Sequence, residues 1–198
     1  MPQWTVPPDL KEILQRYLQE ARDAVVWKLD GLSPYDARRP LVPTGTNLLG
    51  LVKHLAGVEF GYLGDVFGRP ITDRPDWLDA MDEEANIDLF AGADESVESI
   101  IALYRRAWAH SDATIAALDL DATGTVPWWR RREVSLQQIL VHVIAETHRH
   151  AGHADLVREL IDGEAGLRAD NNNLPDGDQA WWQDYRERLE QIASEATS

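Results

Sequence analysis

Cysteine is absent from the 198 residues. That excludes disulfides, thiolate metal ligands and a cysteine nucleophile, and it agrees with a reducing compartment. Long apolar runs are missing too: no stretch approaches the roughly 20 residues that span a bilayer, and MPQWTVPPDL lacks the basic-then-apolar order of a secretory leader. A soluble, cytoplasmic protein is expected. Positive charge is scarce. Nineteen Lys and Arg against 34 Asp and Glu leave a net charge of -15, a field that repels phosphate backbones and anionic lipid, so neither nucleic acid nor membrane is an expected partner. Alternating β-branched segments are almost wanting, as are fixed-period repeats and low-complexity tracts, which sets aside sheets, solenoids and linker-joined modules.

What is present is apolar residues at helical spacing, 44% hydrophobic overall, enough for one real core. The expected class is all-α, as a single domain over 1–198 with its core at about 8–163 and a C-terminal extension at 164–198. A first helix should open at Pro7-Pro8-Asp9 and end near Gly31, with Leu10, Leu14, Tyr17, Leu18, Ala21 and Val25 inward. Pro34, Pro40 and Pro43 break the chain before a second helix, capped by Thr46 or Asn47 and running to about Gly68. Residues 69–95 read as a long acidic connection. Ser96 starts a third helix ending near Leu118, and 120–133 read as a loop. Ser135 starts the fourth helix, stopping before Gly163, a suitable left-handed cap. A last helix covers Asp178 to about Ala193. Four long helices bury their stripes as a bundle with an extra terminal helix, either up-down-up-down or with a crossed connection.

Polar residues interrupt two of these stripes. In the fourth helix Ile139, Val143, Glu146, His150, His153 and Val157 advance by fours and threes along one face, while His148 lies roughly 200° from Glu146 and faces away. In the second helix His54 sits among Leu51, Leu55 and Val58. A carboxylate in an apolar seam needs a partner, because burying it alone costs several kcal/mol. A divalent cation is one such partner. Glu and His at i and i+4 can chelate from one helix face, and a histidine from the neighbouring helix makes a third ligand, leaving open coordination positions. Nitrogen and carboxylate donors suit Zn²⁺ first, with Ni²⁺ or Fe²⁺ as alternatives. The plainer readings stay open: His54 as a hydrogen-bonded core histidine, and Glu146 with His150 as a surface pair or part of a network with Arg149 or Arg158.

The segments NLLGLVKHLAGVEFGYL and LQQILVHVIAETHRHAGHADLVRELIDG resemble the DinB/YfiT-like superfamily of four-helix bundles. The nearer resemblance is to the branch of mycothiol-dependent transferases and of the metal-binding domain of mycothiol-dependent maleylpyruvate isomerase. Its E-x-x-R-H-x-G-H-x-D-L core stands here as Glu146, Arg149, His150, Gly152, His153, Asp155 and Leu156, and the likeness runs from about Leu10 to Trp181-Trp182. The resemblance implies a metal held by His54, Glu146 and His150; many relatives have a third histidine where this chain has Glu146. It also implies mycothiol or a similar thiol as cosubstrate, a small electrophile as acceptor for S-transfer or isomerisation, and a homodimer. The isomerase's second domain has no counterpart in these residues, so maleylpyruvate itself is not the expected substrate. The alternative is a non-catalytic, stress-related protein of the same fold that binds a metal or small ligand.

Four further features are weighed. His153 is a candidate outer partner of the metal site or a core hydrogen-bonding residue; Arg149 and Asp155 read as salt-bridge residues. Trp128, Trp129 and Arg130 to Arg132 read as a loop near a pocket mouth that binds an anionic thiol cofactor or substrate, or else as a loop packed by its tryptophans. Trp181 and Trp182 read as core or dimer contacts at the end of the bundle, and Asp79 to Glu84 as a solvated acidic face.

Overall fold

A computed structural model describes residues 9–81 and 83–196. Its helices are α1 (Leu10–Val26), α2 (Leu48–Leu63), the single turn α3 (Asp76–Asp79), α4 (Val97–Ala117), α5 (Leu136–Asp162) and α6 (Gln179–Glu195), with a short β1 (Thr123–Thr125) and β2 (Glu133–Ser135) before α5. The class is all-α, as expected. α2 is the central rod: it packs against α4 on one side and α5 on another, and α1 packs against α5. Among the described residues no helix is long and apolar enough to cross a membrane.

Local chemistry sets the starts of the helices. Asp9, Asn47, Ser96, Ser135 and Asp178 each accept a hydrogen bond from the backbone N–H three residues on, filling donors that the first turn leaves unpaired. Asn47, not Thr46, caps α2. Pro7 and Pro8 lie outside the described residues. Gly163 ends α5 in the left-handed conformation. The second helix is shorter than its pattern implied: α2 stops at Leu63, and a 3-10 turn over Asp65–Phe67 carries the chain to Gly68. Leu10 and Tyr17 also depart from expectation, each 47% exposed. Both lie to one side of the buried row Leu18, Ala21 and Val25.

The stretch 120–133 is more than a loop. β1 and β2 form an antiparallel ribbon pairing Thr123 with Ser135 and Thr125 with Glu133. It closes because Gly124 lies against the turn after α2; a Cβ there would stand 2.8 Å from Val66. Buried Val126 and Val134 then seal that end of the core.

The apolar core falls into two clusters separated by ions. Arg22 grips Glu59 through two hydrogen bonds of 2.8 and 2.6 Å and reaches Asp112 at 2.9 Å. Arg22 and Glu59 are almost fully buried. A carboxylate in that position tolerates burial only because both oxygens are bound by the guanidinium fork. At the other end Lys28 and Asp155 form an ion pair, and Arg158 donates to the carbonyls of Lys28 and Asp30 at 2.9 Å. Asp155 is therefore a structural salt-bridge residue.

Candidate metal centre

His54 projects from α2 towards α5, where Glu146 and His150 stand one turn apart. The Glu146 Oε1 lies 2.9 Å from His150 Nε2 and 3.7 Å from His54 Nε2. The two imidazole rings meet edge to face with centroids 4.8 Å apart. One donor atom from each residue falls within 4.8 Å of the others. A tetrahedral cation with bonds of about 2.1 Å holds its ligand atoms about 3.4 Å apart, a spacing that lies between the 2.9 Å and 4.8 Å separations here and is reached by side-chain rotation. Their exposures of 20%, 24% and 12% leave one side accessible.

A fourth residue, which no sequence pattern marks, completes the arrangement. Asp88, buried, bonds His54 Nδ1 through Oδ2 at 2.6 Å. Burial alone would raise its carboxyl, but the hydrogen bond and charge of His54 outweigh that and hold it below its ordinary value. An ionised Asp88 accepts a hydrogen bond from Nδ1–H, and Nε2 is then the ring atom available to a cation. This is the carboxylate–histidine relay that orients metal-ligating imidazoles. Asp88 is held in turn by α2's own start. Asn47, whose oxygen caps the helix, donates from Nδ2 to the Leu89 carbonyl at 3.1 Å, and Gly50 lets that carbonyl approach. A Cβ on Gly50 would lie 1.9 Å from the Leu89 oxygen.

The protonation states agree with a ligand set. Burial would raise Glu146, yet the hydrogen bond and charge of His150, with the charge of His54, keep it low. Burial and the neighbouring His54 pull His150 below its ordinary value, against the opposing pull of Glu146. Both shifts favour the deprotonated forms that metal ligands need. Among the described residues Glu146 hydrogen-bonds His150 and has His54 Nε2 3.7 Å away, and the buried His150 Nδ1 has no hydrogen-bond partner. Arg158, offered as an alternative partner for Glu146, instead pairs with Asp162 at 2.7 Å. The donors present thus fit a divalent cation.

The remaining histidines and tryptophans take other places. His153 packs on the His150 ring at 5.3 Å between centroids, beyond the three donors. His142 packs on Tyr62 and Trp129 at 4.7 and 4.9 Å. Trp128 donates to the Tyr62 hydroxyl at 3.2 Å and lines a cavity of about 440 Å³ whose wall also includes His54, Asp88 and Tyr62. Arg130 to Arg132 are exposed, as is Arg149. Trp181 and Trp182 do not enter the core, since no residue of α6 is buried; Trp181 stacks on Tyr185 at 5.5 Å. In the acidic run Asp79 pairs with Arg74 at 2.6 Å, Glu83 and Glu84 are exposed, and Asp82 lies outside the described residues.

Comparison with known proteins adds the following. A family model described as mycothiol-S-transferase matches residues 13–163. The solved structure of a conserved protein from Enterococcus faecalis superposes with a TM-score of 0.62 at 15% identity, covering 79% of this chain and 99% of that one. That likeness is one of fold. No curated protein matches significantly.

Proposed function

The chain belongs to the mycothiol-S-transferase family of DinB/YfiT-like bundles, and from that premise we propose that it is a divalent-metal-dependent enzyme joining a mycothiol-like thiol to a small electrophile. His54, Glu146 and His150 are the ligands in this reading, Zn²⁺ the first candidate, and one helical domain the unit that carries them. When bound, a divalent cation supplies Lewis acidity that lets a thiol lose its proton near neutral pH, in a chain with no cysteine of its own. Asp88 fixes the tautomer of His54. Glu146 contributes the one anionic oxygen, and His150 a neutral ring. The exposed side of the three faces space enough for thiol sulfur and acceptor.

The observation that carries the reading is the convergence of these three side chains, with Asp88 behind His54 and both of those residues lining a cavity. Elemental analysis of protein purified without chelator tests it. Wild type is expected to hold about one equivalent of metal and His150→Ala well under half; equal content in both overturns the ligand assignment. Product formation with thiols and alkylating acceptors is the second arm. Metal and thiol binding with no product from any acceptor favours the binding-protein alternative. For the homodimer, α6 offers an exposed row of Trp181, Tyr185, Leu189 and Ile192, at helical spacing, that a second copy would cover.

A further inference from the structure

We infer that the cavity beside His54 is the binding site for the electrophile, and that it selects an uncharged, aromatic or otherwise apolar one. The inference rests on the metal-centre reading of His54 and goes beyond it in naming the class of acceptor.

The cavity encloses about 440 Å³, within the range of small-molecule sites. Its wall is made by the α2 face that starts at His54 and continues through Gly57, Val58 and Gly61 to Tyr62. Gly61 is helical, so glycine costs stability there relative to alanine, yet a Cβ at this position would meet nothing within 4 Å. The missing side chain is cavity space. Opposite stand Leu78, Met81 and Trp128. Trp128 is 61% exposed although its ring edge is held by Tyr62, which leaves an aromatic surface available for stacking.

Charge in this wall is already matched. Arg74, the one cation among the lining residues, is bound by Asp65 at 2.8 Å and Asp79 at 2.6 Å. Asp88 is bound to His54. An anionic acceptor would meet the Asp65 and Asp88 carboxylates, an arginine already shared between Asp65 and Asp79, and a net charge of -15 behind them. A flat neutral molecule meets apolar surface and the Trp128 ring. For an arylmethyl halide the sulfur–carbon bond forms as the carbon–halogen bond breaks, the halide leaves with the electron pair, and the thiol proton passes to water.

Calorimetric titration of the full-length protein with 4-nitrobenzyl alcohol, a neutral unreactive probe, and with its anionic counterpart 4-nitrobenzoate tests this without thiol or turnover. The alcohol is expected to bind at least tenfold more tightly than the benzoate. Gly61→Phe, whose ring fills the cavity, should weaken the alcohol at least tenfold, whereas Gly61→Ala leaves it within threefold. Trp128→Ala, at an exposed position, should weaken it severalfold and serves if Gly61→Phe does not fold. Metal content, measured on the same samples, separates this inference from the metal-centre reading: wild-type metal with lost probe binding in Gly61→Phe supports it. Equal affinity for the two probes, or unchanged affinity in Gly61→Phe and Trp128→Ala, overturns it.

Discussion

Replacing Asp88 tests whether a carboxylate outside the ligand set tunes that set. The wild-type contact is a 2.6 Å hydrogen bond between groups whose side chains are 10% and 20% exposed, so solvent screens it little. Carboxylates that orient a ligating histidine contribute about 10- to 100-fold in metal affinity, or about 1.4–2.7 kcal/mol. Asp88→Ala removes both orientation and charge and should fall in the upper part of that range. Asp88→Asn keeps an acceptor oxygen but loses the charge assistance, roughly half the bond's strength, and should fall at or below the lower end. The assay is competition for Zn²⁺ with a chromophoric chelator, alongside the melting temperature of each variant. Asn47 still anchors the Leu89 carbonyl in both, so the fold is expected to survive. Affinity within twofold of wild type in Asp88→Ala would refute the reasoning, because His54 would then need no orientation to act as it does.

Other perturbations follow from single contacts. Gly50→Ala forces the Leu89 carbonyl away from α2; thermal melting should show a loss of about 1–3 kcal/mol, accompanied by weaker metal binding because Asp88 moves with it. Glu59→Ala leaves the buried Arg22 guanidinium with only the half-exposed Asp112 as counter-ion and should cost about 3 kcal/mol, the lower end for a broken buried pair, in denaturant unfolding, with Glu59→Gln losing less. Acid titration of the metal-free protein probes Asp88: its folded carboxyl lies below the ordinary 3.8, so its stabilisation is complete above that value and fades as pH falls below it. The stability difference between wild type and Asp88→Asn should therefore shrink below pH 3.8, and a difference that grows there contradicts the pairing. Leu189→Glu on α6 should shift any dimer to monomer in sedimentation while leaving the melting of the bundle within about 0.5 kcal/mol.

Sequence reasoning reached what is local. Helix starts are set by a side chain and an N–H three residues apart, so Ser96 and Ser135 are legible as caps and Asn47 as one of two candidates, whereas Asp178 reads as the first helical residue and proves to be the cap. Glu146 and His150 share a helix face by their spacing alone, and His54 broke an apolar run. The resemblance to a known family joined the three. The ribbon at 123–135 was not legible, because three-residue strands carry too little pattern; they form where Gly124 fits against Val66.

The chain alone thus determined the helical class, the caps and one carboxylate–imidazole pair, since those depend on periodicity and hydrogen bonds within a turn. Tertiary packing decided the rest. Asp88 lies 34 residues from His54, in a stretch crowded with carboxylates, and nothing in its neighbours marks it from Asp79 or Glu84. Arg22 and Glu59, 37 residues apart, became a buried pair only when α1 met α2. Likewise a glycine at position 61 is merely a weak helix residue until Leu78 and Trp128 close around the space it leaves. Contacts between distant segments are chosen by the free energy of the whole packed core, which no local spacing encodes.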